Sequence, residues 1–181
     1  MTIMVWADTH FGHAGILRHC AESRPYNNVT EMNEALIAFW NETVRPLDDV
    51  YFLGDFAFDR QPLRYFERLF GYKHLVRGNH DMQNKQTLAL PWVSVHDIVT
   101  LKQEGTRAIA CHYPMASWEG MHRGYIMLHG HSHGNLAYLP RRFDVGVDVY
   151  RTPMPLKHFA DIAKRQIFSP VDHHEDRGGE A

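Results

Sequence analysis

Three short apolar runs, residues 2–7 (TIMVWA), 49–53 (DVYFL) and 72–76 (YKHLV), each end in a polar turn. Runs of this length with β-branched and aromatic members read as buried strands. Between the first two, Met32, Leu36, Phe39, Trp40 and Thr43 recur at helical spacing from about Asn28 to Val44. Asn28 and Glu31 resemble a capping box, and Pro46 lies just past the helix end. A shorter helix over Pro62 to Phe70, closed by Gly71, fills the second gap. Strand, helix and strand in alternation require a parallel sheet.

The rhythm changes in the second half. Strands are expected at 92–101 and 106–112, joined as a hairpin through Glu104, Gly105 and Thr106, and again at 124–129 and 142–149. That half reads as largely antiparallel or mixed. A last helix is expected from about Pro153 to Gln166, with Leu156, Phe159 and Ile162 on one face. The organisation expected is one domain over 1–169 followed by a polar, disordered tail over 170–181.

Composition narrows the function by exclusion. Hydrophobic residues make up 44% and charged residues 22% of 181, the balance of a globular protein. A net charge of -2 leaves no bulk surface for nucleic acid or anionic membrane, so any phosphate recognition is local. No segment approaches the roughly 18 apolar residues of a membrane span, and the opening MTIMVWADTH lacks a signal-peptide pattern, so a cytoplasmic location is expected. Cys20 and Cys111 are too far apart for a zinc ribbon. Tyr26 and Ser117 stand six positions after them, where a cysteine-dependent phosphatase would carry arginine.

The unusual number is 14 histidines. Asp8 and His10, Asp55, Asn79 and His80, His112, and His131 and His133 all fall just after expected strands, the edge at which ligands bind in open α/β sheets. Both DTH (8–10) and HSH (131–133) place two ligands at i and i+2, so on extended backbone the pair projects to one side. Imidazole with carboxylate and amide oxygens suits manganese, iron or zinc.

The ordered blocks DTH (8–10), GD (54–55), GNHD (78–81), CHYP (111–114) and GHSH (130–133) resemble the calcineurin-like metallophosphoesterase superfamily, over about three quarters of the chain. The opening WADTHFGHAGIL resembles a branch of small stand-alone bacterial and phage phosphoesterases. The resemblance implies an α/β fold, a four-layer α-β-β-α sandwich of two mixed sheets flanked by helices. It further implies two divalent metal ions, manganese first, with iron, zinc, magnesium or nickel as substitutes. Asp8, His10 and His133 would hold one, Asn79, His112 and His131 the other, and Asp55 would bridge them.

Two divalent ions, two aspartates and a bridging hydroxide leave a site of about +1, which attracts a phosphate anion. Hydroxide attack on a phosphodiester or phosphomonoester needs no covalent intermediate. His80, beside Asn79, is placed to protonate the leaving oxygen, and Asp81 to orient or charge that imidazole. Arg77 and His13 are candidate contacts to phosphate oxygens. The expected partner is a small phosphoester, with a nucleotide or nucleic-acid end as candidates. Residues 14–28 and 113–123 are expected to line the entrance, where Tyr26, Tyr113 and Trp118 offer aromatic faces.

Other features read as structural. His19, His74, His96, His122, His158, His173 and His174 match no block, and His129 is a support or simply buried. Asp59 lies four residues after Asp55, one beyond the acidic position often seen in the superfamily, and Asp144 and Asp148 read as a polar strand face. Two rivals stand. GHSHG (130–134) fits the serine-hydrolase pattern, with Asp144 or Asp148 and His158 completing the triad order. The fold can also serve as an inactive binding scaffold once its ligands are lost, but here none is missing.

Overall fold

A computed structural model describes residues 1–171, so the expected tail from 172 onward lies outside the described residues. Two sheets form. The first contains β1 (Ile3–Trp6), β2 (Asp49–Phe52), β3 (Tyr72–Val76), β4 (Ser94–His96) and β9 (Met154–Pro155) in the order β4-β3-β2-β1-β9. Its first four strands are parallel and β9 is antiparallel to β1. The second contains β5 (Ile98–Gln103), β6 (Thr106–Cys111), β7 (Ile126–His129) and β8 (Arg142–Asp144) in that order. There β5 and β6 make the antiparallel hairpin, while β6, β7 and β8 run parallel.

Strand alternation sorts side chains between layers. In β1 and β2, Met4, Trp6, Val50 and Phe52 face a core closed by α2 (Val29–Thr43) and α3 (Leu63–Phe66). Val5, Leu53 and Val76 face the second sheet, where Ala108, Ala110, Ile126 and Leu128 meet them together with Leu156 and Phe159 of α6 (Leu156–Ala163). The far face of the second sheet, Ile109, Cys111 and Met127, is covered by Trp118, Met121 and Tyr125 from the connecting segment with its 3-10 turn (Met121–Arg123). The result is the α-β-β-α order, with a thin fourth layer.

The expected helix over 28–44 forms as α2, and Asn28 Oδ1 accepts the Glu31 N–H at 2.9 Å. Glu31 returns its bond to the N–H of Asn27, one residue earlier than a capping box requires. The expected strand over 92–101 breaks at Asp97. Its first part joins β3, its second pairs with β6, and the chain thereby crosses between sheets. The strand expected over 142–149 stops at Asp144, because Val147 donates to Ala7 and the segment stitches the sheets together. The short helices α1 (Ile16–His19), α4 (Asn79–Gln83) and α5 (Lys85–Leu88) lie below the length at which periodicity shows. Among the described residues no helix is long and apolar enough to cross a membrane.

Candidate metal centre

Parallel pairing brings the carboxyl ends of β1, β2 and β3, and of β6 and β7, to one edge of the sandwich. The expected ligands sit in the turns that follow. Asp8 donates its N–H to Gly54, His10 to Asp55 and Gly130 to His112, so backbone bonds lace the turns together. His112 ties the two sheets, its Nδ1 donating to Leu53 O at 2.8 Å.

Five of these residues hold left-handed backbone although none is glycine: Asp8 (φ 60), His10 (49), Asp55 (58), His131 (69) and His133 (47). Such conformations cost of order 1–3 kcal/mol each and persist where the surroundings over-determine them. Gly54 and Gly78 make room for the same cluster. A Cβ on Gly54 would lie 2.4 Å from His112 Nδ1, and one on Gly78 2.2 Å from Asp55 Oδ1.

Asp55 Oδ2 is the meeting point. It lies 3.8 Å from His10 Nε2, 3.6 Å from His112 Nε2 and 3.8 Å from His80 Nε2. Its other oxygen accepts the N–H of His80 at 3.0 Å. Asp8, His10 and His133 each offer a ligand atom within 4.8 Å of one another, as do Asp8, Asp55 and His112. Asn79 Oδ1 stands 3.1 Å from both His112 Nε2 and His131 Nδ1.

The donor set fits divalent ions. Both ring nitrogens of His10 are buried without a hydrogen-bond partner, which a neutral imidazole bears at a cost unless it ligates. With Nδ1 of His112 donating, its Nε2 presents a lone pair toward the Asn79 oxygen, an arrangement that calls for a cation. Burial, reinforced by the carboxylates of Asp55 and Asp144, holds the Asp8 carboxyl well above the ordinary range, and burial also raises Asp55. Burial drives His112 down to about 4 and depresses His10, with Arg24 and His133 adding to the effect on His10. Packed carboxylates that resist ionisation beside imidazoles that resist protonation are in the state a dication relieves.

His80 stands at the rim, its side chain 37% exposed, and lines a cavity of about 240 Å³ with Phe58, Arg60 and Gln83. Asp81 does not reach its imidazole. Fully buried, Asp81 accepts the N–H groups of Asp55 (2.7 Å), Phe56 (3.0 Å) and Gly78 (2.8 Å), so the expectation that it orients His80 is corrected: it clamps backbone. Arg77 is likewise turned elsewhere, its Nε and Nη2 bonding Asp97 at 2.9 and 2.7 Å, in place of the expected phosphate contact. His13 remains at the site, stacked on Phe58 at 3.9 Å and 5.6 Å from His10.

Three residues here carried no signal, or a misread one. Asp148 accepts from His133 Nδ1 at 2.7 Å and from Arg24 through both oxygens, leaving His133 Nε2 free to ligate. Burial opposes its ionisation, but the bonds from His133 and Arg24 outweigh that and hold Asp148 well below the carboxylate range. Arg24, 2% exposed, also donates to the carbonyls of Asp8 (2.6 Å) and Thr9 (3.1 Å). Phe58 occupies the place three after Asp55, while Asp59 is held by Arg64 and Tyr65.

A cavity of about 650 Å³ lies between residues 18–23, from the first expected entrance segment, and His133 and Asp148. In the second, Tyr113 is exposed beside His112 and His131, but Trp118 is core, its Nε1 donating to Tyr125 O. The serine-hydrolase rival fails on geometry. Ser132 Oγ donates to Asp144 at 2.8 Å, and that carboxylate also accepts from Gly134 and Gly146, making it a brace for the loop.

The chain is similar to several known proteins. Protein MJ1445 of Methanocaldococcus jannaschii, itself uncharacterized, is 35% identical over 137 residues, 74% of this chain and 70% of that one. Gene 66 protein of Mycobacterium phage D29 is 25% identical over 193 residues, 87% of this chain and 94% of its own. The crystal structure of the protein of unknown function AQ665 from Aquifex aeolicus has the same fold, with a TM-score of 0.71 at 20% identity over 88% of this chain and 98% of that one. The family model described as calcineurin-like phosphoesterase matches residues 1–178, and the chain belongs to the calcineurin-like phosphoesterase family.

Proposed function

We propose that this chain hydrolyses phosphate esters, diesters ahead of monoesters, at a centre of two divalent ions, manganese first. Asp8, His10 and His133 would hold one ion, Asn79, His112 and His131 the other, with Asp55 between them. The observation that carries this reading is the meeting of imidazoles from both sets on Asp55 Oδ2, at 3.8 Å from His10 and 3.6 Å from His112. When bound, such a pair of ions lowers the pKa of water and polarises phosphoryl oxygens.

The protein's own share is positioning and proton supply. The bonds from His112 Nδ1 to Leu53 and from His133 Nδ1 to Asp148 fix which ring nitrogen faces the centre. His80, hydrogen-bonded to Asp55 through its backbone and half-exposed through its ring, donates a proton to the leaving oxygen, with the leaving group lodged in the cavity beside Phe58 and Gln83. The exposed rim, with no cap domain over it among the described residues, favours a small or flexible ester.

The test is hydrolysis of bis-(p-nitrophenyl) phosphate and p-nitrophenyl phosphate side by side, in manganese and after chelation, with Asp55→Asn as control. Diester cleavage that requires both metal and Asp55 supports the reading. Metal-free retention of activity, or full activity in Asp55→Asn, sinks it.

A further inference from the structure

The amino ends of β6 and β7, opposite the edge that carries His112 and His131, hold a second chemically distinct feature. A cavity of about 210 Å³ is lined by Arg107, Arg123, Arg141 and Lys164 together with Tyr125 and Gly124. Among the described residues no carboxylate lines it, in a chain whose net charge is -2. Lys164 has a carboxylate neighbour, Asp161 at 3.4 Å, whereas among the described residues Arg107, Arg123 and Arg141 make no ion pair. Among the described residues the three guanidinium groups are therefore a local surplus of positive charge, with Lys164 shared with Asp161.

The arginines are held in place without being neutralised. Arg107 donates to the hydroxyl of Tyr125, and the guanidinium groups of Arg107 and Arg123 lie 5.3 and 5.5 Å from the Tyr125 ring centre. Arg141 lies 5.2 Å from the Phe168 ring and fills the space beside Gly124, where a Cβ would come within 2.8 Å of its Nη1. Its Nε is buried with no acceptor, and its backbone is left-handed at φ 63. A buried guanidinium donor without a partner, on a strained residue, marks a place where an acceptor is missing.

We infer that this cavity is an anion site for a compact diphosphate or triphosphate group, separate from the metal centre. Three guanidinium groups without an ion pair among the described residues, with Lys164 beside them, match a pair of phosphates that each carry about -1.5 to -2 at neutral pH. The volume is below the roughly 300 Å³ at which pockets for drug-sized ligands begin, so it takes the phosphate group rather than a whole nucleoside. Guanidinium forks supply the planar donors that phosphate oxygens accept.

Backbone amide exchange on the manganese-loaded full chain, titrated with inorganic pyrophosphate, tests this at the site itself. Protection is expected across residues 104–107 and 123–126, reported separately from any protection of residues 130–134 at the metal centre. Arg123→Gln with Lys164→Gln, and separately Arg141→Gln, are expected to raise the dissociation constant for the first region by about tenfold or more. Hydrolysis measured without pyrophosphate is expected to stay unchanged in these variants, so this inference can fail while the metal centre stands, and the reverse. No protection at 104–107 and 123–126 overturns it. Protection that survives the substitutions, that sodium chloride at matched ionic strength reproduces, or that only an oligonucleotide gives, overturns it too.

Discussion

The carboxylate of Asp81 accepts the peptide N–H of Asp55 at 2.7 Å, so the residue one position past the proposed proton donor holds the backbone of the proposed bridging ligand. The same carboxylate binds Phe56 and Gly78, and one aspartate thereby fixes the turns after β2 and β3 relative to one another. Asparagine cannot accept all three donors. Asp81→Asn is expected to lose about 2–3 kcal/mol in urea unfolding, the range for charged hydrogen bonds lost in a buried site. A variant as stable as the parent but impaired only in proton donation would restore the role in orienting His80.

In the proposed centre Asp148 would act on the metal through His133, whose Nδ1 it holds at 2.7 Å. Outer carboxylates of this kind change metal affinity by about 10–100-fold when removed, and Asp148→Asn is expected to weaken manganese binding in that range by titration. The partner change Arg24→Met leaves Asp148 buried without its cation, with an expected loss of about 3–5 kcal/mol. Equal manganese affinity in Asp148→Asn and the parent would contradict the link.

How much of this was legible in sequence follows from the kind of residue. Proposed ligands that follow strands announce themselves, since Asp8, Asp55, Asn79, His112 and His131 sit where apolar runs stop. Residues that brace those ligands do not. Arg24 lies in an irregular loop, and its contacts to Asp8 and Asp148 span 16 and 124 positions, distances no local pattern encodes. Asp148 read as one face of a strand because alternation in residues 142–149 looks regular, whereas the chain leaves the second sheet at Asp144 to reach Ala7. Asp81 shows the converse: adjacency to His80 in sequence implied contact, but a helical turn sends its carboxylate back toward Gly78.

Stability without metal carries a pH signature. Burial raises the pKa of Asp55, so the unfolded chain gives up its proton first, and the stability tied to this group is present at low pH and declines as pH rises past the ordinary carboxylate range. Asp55→Asn removes the ionisable group and can still accept from His80 N–H. In the metal-free protein it is expected to raise the urea midpoint at pH 7.5, with the gain shrinking toward pH 4.5. A midpoint that falls at pH 7.5 would contradict the assignment.

His80 is assigned to the leaving group, so its loss should depend on the ester. His80→Asn is expected to lower kcat by about 10²–10⁴-fold for an alkyl leaving group and far less for p-nitrophenolate, with KM and metal content little changed. Equal losses for both esters would move His80 from proton donation to ground-state binding.

The proposed dinuclear centre is tested most directly by the metal count of the manganese-loaded chain, read together with its paramagnetic resonance spectrum. Two bound ions with a spin-coupled signal are expected, and the coupling is expected to disappear in Asp55→Asn. A single ion at saturation, or coupling unchanged without the Asp55 carboxylate, would contradict a shared centre built around this residue.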